Sequence, residues 1–139
     1  MLFPKKVKHR KWQTQRRNPK RRLIATRGTT VAFGSFGLKT IDATRITSNQ
    51  IEAARRVLRR AIGKNGSMWV RVFPDRPYTA KPAEVGMGKG KGDPKGFGMQ
   101  VEAGRVLFEV DGVPESVARE ALRKTAAKLP LRGKTVTRA

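Results

Sequence analysis

The sequence predicts an α+β fold: two helices packed on a mainly antiparallel sheet, with a basic N-terminal arm and a long Gly/Lys loop. Three observations carry that expectation. Two segments repeat apolar residues every three or four positions between recognisable caps, several short runs rich in β-branched and aromatic residues lie between glycines and prolines, and charge is spread very unevenly. A chain of 139 residues has room for one domain with a modest core. The expected organisation is an arm over residues 1–28 and a single α+β domain over 29–139, with an extended loop at 75–96.

Taken in order, the first element is TTVAFGSFGL from Thr29, where Val31 and Phe33 alternate with small or polar residues. This reads as a strand bent or bulged at Gly34 and Gly37. ITSNQIEAARRVLRRAIGKNG follows with a helix signature: Thr47 caps, Gln50 completes a capping box, and Gly63 or Gly66 ends the helix. At 100° per residue Ile51, Ala54, Val57, Leu58, Ala61 and Ile62 share one face, and Arg55, Arg56, Arg59 and Arg60 fan across the other. SMWVRVFP, residues 67–74, is a strand stopped by Pro74, with Met68, Val70 and Val72 on one face. An irregular segment with Pro77, Pro82 and Pro94 comes next, and FGMQVEAGRVLFEV then reads as a hairpin turning at Ala103 and Gly104. Pro114 opens a second helix whose stripe is Val117, Ala118, Ala121, Leu122 and Ala126, ended by Pro130, and Thr135–Thr137 is a candidate last strand.

The formal charge is +22, from 32 Lys and Arg against 10 Asp and Glu. Self-repulsion of that size opposes compaction unless a polyanion neutralises it, so the expected partner is nucleic acid. The arm concentrates it: Lys5, Lys6, Lys8, Arg10, Lys11, Arg16, Arg17, Lys20, Arg21 and Arg22 precede the first carboxylate, Asp42. Such a segment is expected to order only against phosphates. The four helix arginines have no acid four residues on to compensate them, which favours an RNA contact there too.

Catalysis is not expected. There is no cysteine, His9 is the one histidine, and the carboxylates are scattered without paired or metal-binding spacing, so neither a metal site nor a cofactor is expected. The stretch VGMGKGKGDPKGFG, residues 85–98, invites a nucleotide-binding reading and fails it. Ala83 and Val85 stand where a phosphate-binding loop needs glycine, no Ser or Thr follows the lysines, and Lys91 breaks a dinucleotide fingerprint. What remains is close backbone approach to phosphates by a thin cationic segment. No apolar run approaches the roughly 20 residues that span a bilayer, and the N-terminus lacks the apolar centre of a secretory signal. A nonspecific nucleoid-type DNA-binding protein is the alternative reading; a membrane-surface protein is weaker, since the small apolar helix face is consumed by the core. No small-molecule substrate is implied.

FGSFGL at 33–38, QIEAARR at 50–56, WVRVFPDRPYTAKP at 69–82, MGKGKG at 87–92, GRVLFEVDGVPE at 104–115 and AAKLP at 126–130 resemble the bacterial large-subunit ribosomal protein L-sixteen family. The opening MLFPKKVKHRK is similar to that family's start, so the resemblance runs the whole chain in order. It implies a structural protein of the large subunit, in the cytoplasm or an organelle. Such a protein binds 23S-type ribosomal RNA (rRNA), contacts neighbouring ribosomal proteins and supports subunit assembly. It also helps position aminoacyl-site transfer RNA (tRNA), with peptidyl-site tRNA as a further candidate, near the peptidyl transferase centre. Carried over, Met87, Gly88, Lys89, Gly90, Lys91 and Gly92 are the tRNA-proximal loop, and the arm and helix arginines are rRNA contacts. Two departures matter: Gly86 stands where the family commonly has arginine, removing a bidentate phosphate donor, and Gly96, Phe97 and Gly98 stand where it tends to have bulky aromatics.

Overall fold

The structure, a computed structural model, describes residues 1–13 and 23–139. Its elements in chain order are β1 (Phe36–Thr40), β2 (Thr44–Thr47), α1 (Ser48–Ile62), β3 (Ser67–Val70), β4 (Arg76–Ala80), β5 (Asp93–Val101), β6 (Val106–Asp111), α2 (Glu115–Ala126) and β7 (Gly133–Thr137). The strands form two sheets, a four-stranded one in the order β3-β6-β1-β7 and a three-stranded one in the order β2-β5-β4. All pairings between these strands are antiparallel. The fold is α+β, as expected, with its helices on antiparallel sheet.

α1 forms where its local signals place it. Thr47 Oγ1 accepts from Gln50 N–H, and Gln50 Oε1 accepts from Thr47 N–H at 2.9 Å, which closes the capping box. Gly63 ends the helix at φ 71°, a backbone state that glycine enters without a Cβ penalty. Ile51, Ala54, Leu58 and Ile62 are buried against Ala118, Ala121 and Leu122 of α2 and against Leu38, Leu107, Phe108 and Val110 of the larger sheet. Each large side chain so buried contributes roughly 1.5–3 kcal/mol of transfer free energy. Val57 lies half-buried at the margin of that face.

Several expectations are corrected. β1 begins at Phe36, and the irregularity of its pairing falls at Leu38/Lys39 rather than at Gly34 and Gly37. The bulge passes over Leu107, which lets Leu107 and Phe108 both enter the helix-side core. The expected hairpin at Ala103 and Gly104 is absent as a pairing: β5 bonds to β2 and β4, β6 to β1 and β3, so Gly104 at φ 94° carries the chain from one sheet to the other. β2 and β4 were not anticipated, and β4 with the start of β5 occupies part of the segment expected to be loop. β4 accommodates Pro77 because it is an edge strand, where a missing N–H costs no ladder bond on the outer side. Val117 is exposed rather than on the buried stripe of α2, where Thr125 takes a place and bonds back to Ala121 O at 2.8 Å.

The face of the larger sheet away from the helices is covered by residues 23–35. Ala25 N–H donates to Ala103 O, Ala103 N–H to Leu23 O and Val106 N–H to Gly28 O. Val31 packs over Gly37, where a Cβ would sit 2.9 Å from it. With both faces covered, β6 is buried from Val106 to Val110 and shows no alternation of polar and apolar residues.

Candidate nucleic-acid interface

α1 presents its arginines unevenly. The Glu52 carboxylate accepts from Arg55 Nε and Nη2 at 2.9 and 2.6 Å and from Arg56 Nε at 3.2 Å. The compensating acid therefore lies one turn before the arginines, not after them, correcting the expectation of an uncompensated cluster. Arg55's hydrogen bonds hold the Glu52 carboxyl down to about 2, and the same contact raises the Arg55 guanidinium. Arg59 Nη1 donates to Gly66 O at 2.8 Å, bracing the turn after the helix. Among the described residues the Arg60 side chain makes no hydrogen bond or ion pair.

Of the arm, Lys5, Lys6, Lys8, Arg10 and Lys11 are described and exposed, whereas Leu2 reaches back to the core. Arg16, Arg17, Lys20, Arg21 and Arg22 lie outside the described residues. The arm's end meets the Gly/Lys loop directly. Lys11 Nζ donates to Lys91 O at 3.3 Å, Lys91 Nζ donates to Trp12 O, and Arg76 of β4 donates to Gln13 O at 3.3 Å while its guanidinium lies 5.8 Å from the Trp12 ring centroid.

Between β4 and β5 the loop stands away from the body. A Cβ added at Gly86, Gly88 or Gly90 would meet nothing within 4 Å, and Met87 is fully exposed. Gly88, Lys89 and Gly90 have φ of 94°, 60° and 89°, three consecutive left-handed residues. That path is open to glycine and strained for lysine, so the glycines flanking Lys89 are what make the turn accessible. Lys81 Nζ donates to Gly88 O across the loop. At the root Gly92 passes so close to β4 that a Cβ would sit 2.8 Å from Ala80 O. Lys91 is thus turned inward onto the arm, and Lys89 is carried at the exposed tip.

Sequence reasoning missed two further features. Glu109, fully buried, accepts from Ala32 and Phe33 N–H at 2.6 and 3.2 Å and from Arg71 Nη1 at 2.9 Å. The strand LFEV gave no signal of it, because every partner lies at least 38 residues away. Arg45 stacks over Tyr78, 4.9 Å from its centroid, joining β2 to β4 across β5. Asp42, Glu52, Glu109, Glu115 and Glu120, half of the ten carboxylates, pair with arginines. The remaining acids are too few to offset the exposed lysines. Among the described residues no helix is long and apolar enough to cross a membrane.

The sequence profile of the family described as ribosomal protein L16p/L10e matches residues 4–136. The chain is 53% identical over 138 residues to the large ribosomal subunit protein uL16 of Albidiferax ferrireducens, covering 99% of this chain and 97% of the relative. The proteins of that name from Verminephrobacter eiseniae and Delftia acidovorans are 52% and 53% identical, with the same coverage.

Proposed function

Because the chain belongs to the ribosomal protein L16p/L10e family, we propose that it binds large-subunit rRNA through its arm and the arginine face of α1, and lays its Gly/Lys loop beside aminoacyl-site tRNA. The protein is a structural constituent of the large ribosomal subunit, ribosome-bound and not an enzyme. Its neighbours there are rRNA and other ribosomal proteins. In the finer reading the exposed cations of Lys5 to Lys11, with Arg56 and Arg60, meet rRNA phosphates, and the loop from Met87 to Gly92 approaches tRNA. Peptidyl-site tRNA is the further candidate partner of the same loop tip.

The observation that carries this reading is the left-handed Gly88-Lys89-Gly90 tip, which offers one lysine on a backbone too thin to collide with a neighbouring strand. Replacing Lys89 by alanine tests it. Large subunits carrying the variant are expected to sediment normally in about 0.5 M salt, where weak surface electrostatics are screened. Their binding of aminoacyl-site tRNA is expected to fall roughly fivefold, since an exposed ion contact contributes up to about 1 kcal/mol. Unchanged tRNA binding would remove the loop from the tRNA path, and wild-type protein lost to the top of the gradient would replace the rRNA reading with nonspecific nucleic-acid binding.

A further inference from the structure

The sheet face away from the helices carries an aromatic pair that the arm, the arginine helix and the loop leave unexplained. Phe33 and Trp69 have ring centroids 6.3 Å apart and planes 22° from parallel, and the Arg71 guanidinium lies 5.1 Å from the Phe33 centroid. Phe33 is 55% exposed, so its ring does not serve the core. It is nevertheless held in place. The buried Glu109 carboxylate accepts the Phe33 N–H and is itself locked by Arg71. Beside it Gly34 comes so near β6 that a Cβ would sit 2.5 Å from Val110 O and 3.1 Å from the Trp69 ring. The backbone sets where the ring sits, and about half of the residue stays open to solvent beside Trp69 and Arg71.

Trp69 also borders a cleft of about 720 Å³ between α1 and β3, which Arg55, Arg59 and Lys64 line. An aromatic surface thus adjoins an open cationic cleft. We propose that Phe33 and Trp69 form a stacking platform for one unpaired RNA base, whose flanking phosphates lie along Arg59 and Lys64 in the cleft. The inference rests on the RNA-binding reading above and names the kind of nucleotide this surface takes. A base inside a helix has both faces covered by its neighbours, whereas a bulged or looped base offers a free face to an aromatic ring. The surrounding charge selects a polyanion over an apolar protein partner.

The test uses the full chain with Trp12→Phe, which leaves Trp69 as its one tryptophan. The probes are an RNA hairpin with one bulged adenine and the same hairpin without the bulge. Trp69 fluorescence is expected to be quenched by the bulged hairpin and much less by the other. Phe33→Ala is expected to weaken binding of the bulged hairpin about 5- to 150-fold, the range of a lost base–aromatic stack, while leaving its salt dependence unchanged. Phe33→Tyr, which keeps the ring, should retain binding. Equal quenching by both hairpins, or undiminished binding by Phe33→Ala, overturns the platform and leaves the RNA-binding reading standing. Failure of the wild-type chain to bind either hairpin overturns both.

Discussion

At Glu52, a carboxylate that stabilises α1 also holds two of the guanidiniums proposed to meet RNA. Its carboxylate is lowered from 4.5 to about 2 by the hydrogen bonds of Arg55, so folding favours the ionised form. That stabilisation is fully present above pH 4.5 and is lost as pH falls toward about 2. Glu52→Gln is therefore expected to lower stability by about 0.5–1 kcal/mol at pH 7, the contribution of two intrahelical pairs, with the gap to wild type closing in acid. Urea unfolding at pH 7 and at successively lower pH reads both halves of that expectation. The same change releases two guanidiniums, so affinity for RNA should rise as stability falls. Glu109 is the opposite kind of acid, fully buried and committed to structure, and removing Arg71 would leave it only the Ala32 and Phe33 N–H groups, a loss on the order of 1.5–3 kcal/mol.

Among the elements, α1 was legible in full because all its determinants are local: Thr47, Gln50 and Gly63 mark its ends and Ile51, Ala54, Leu58 and Ile62 its face. The strands were legible only in part. The run FGMQVEAGRVLFEV suggested two adjacent strands, yet which neighbour each strand takes depends on residues far along the chain, and Gly104 permits a hairpin and a crossing between sheets equally well. β4 was hidden by Pro77, which argues against a strand unless the strand is known to be an edge. Of the site, the loop and the basic residues were visible as composition, but not that Glu52 restrains Arg55 and Arg56. For α1 the expectation is that Arg56→Gln with Arg60→Gln lowers the slope of log affinity against log salt by roughly 1.4–1.8, two phosphate contacts, without loss of helix. Titration of an rRNA fragment at several salt concentrations, with circular dichroism, checks it; an unchanged slope would assign both side chains to solvent.

Across the whole molecule, the arm is tied to the loop and to β4, since Lys11 and Trp12 are bonded to Lys91 and Gln13 to Arg76. Trp12→Ala is expected to loosen the loop, raising the rate of proteolytic cleavage after Lys89 about two- to fivefold, as loss of an exposed cation–π contact of ~0.5–1 kcal/mol implies. An unaltered rate would mean that the loop is held by its own root, where Gly92 meets Ala80. The position of Pro77 has a consequence of another kind. A free sheet margin invites self-association, and a newly made chain must wait for its subunit without joining its copies. β4 presents a margin that contains a residue with no N–H, with Arg76 beside it. Such a margin is a poor template for strand-to-strand growth. The proline that obscured β4 in the sequence thus blunts one of the sheet margins along which unassembled copies could pair.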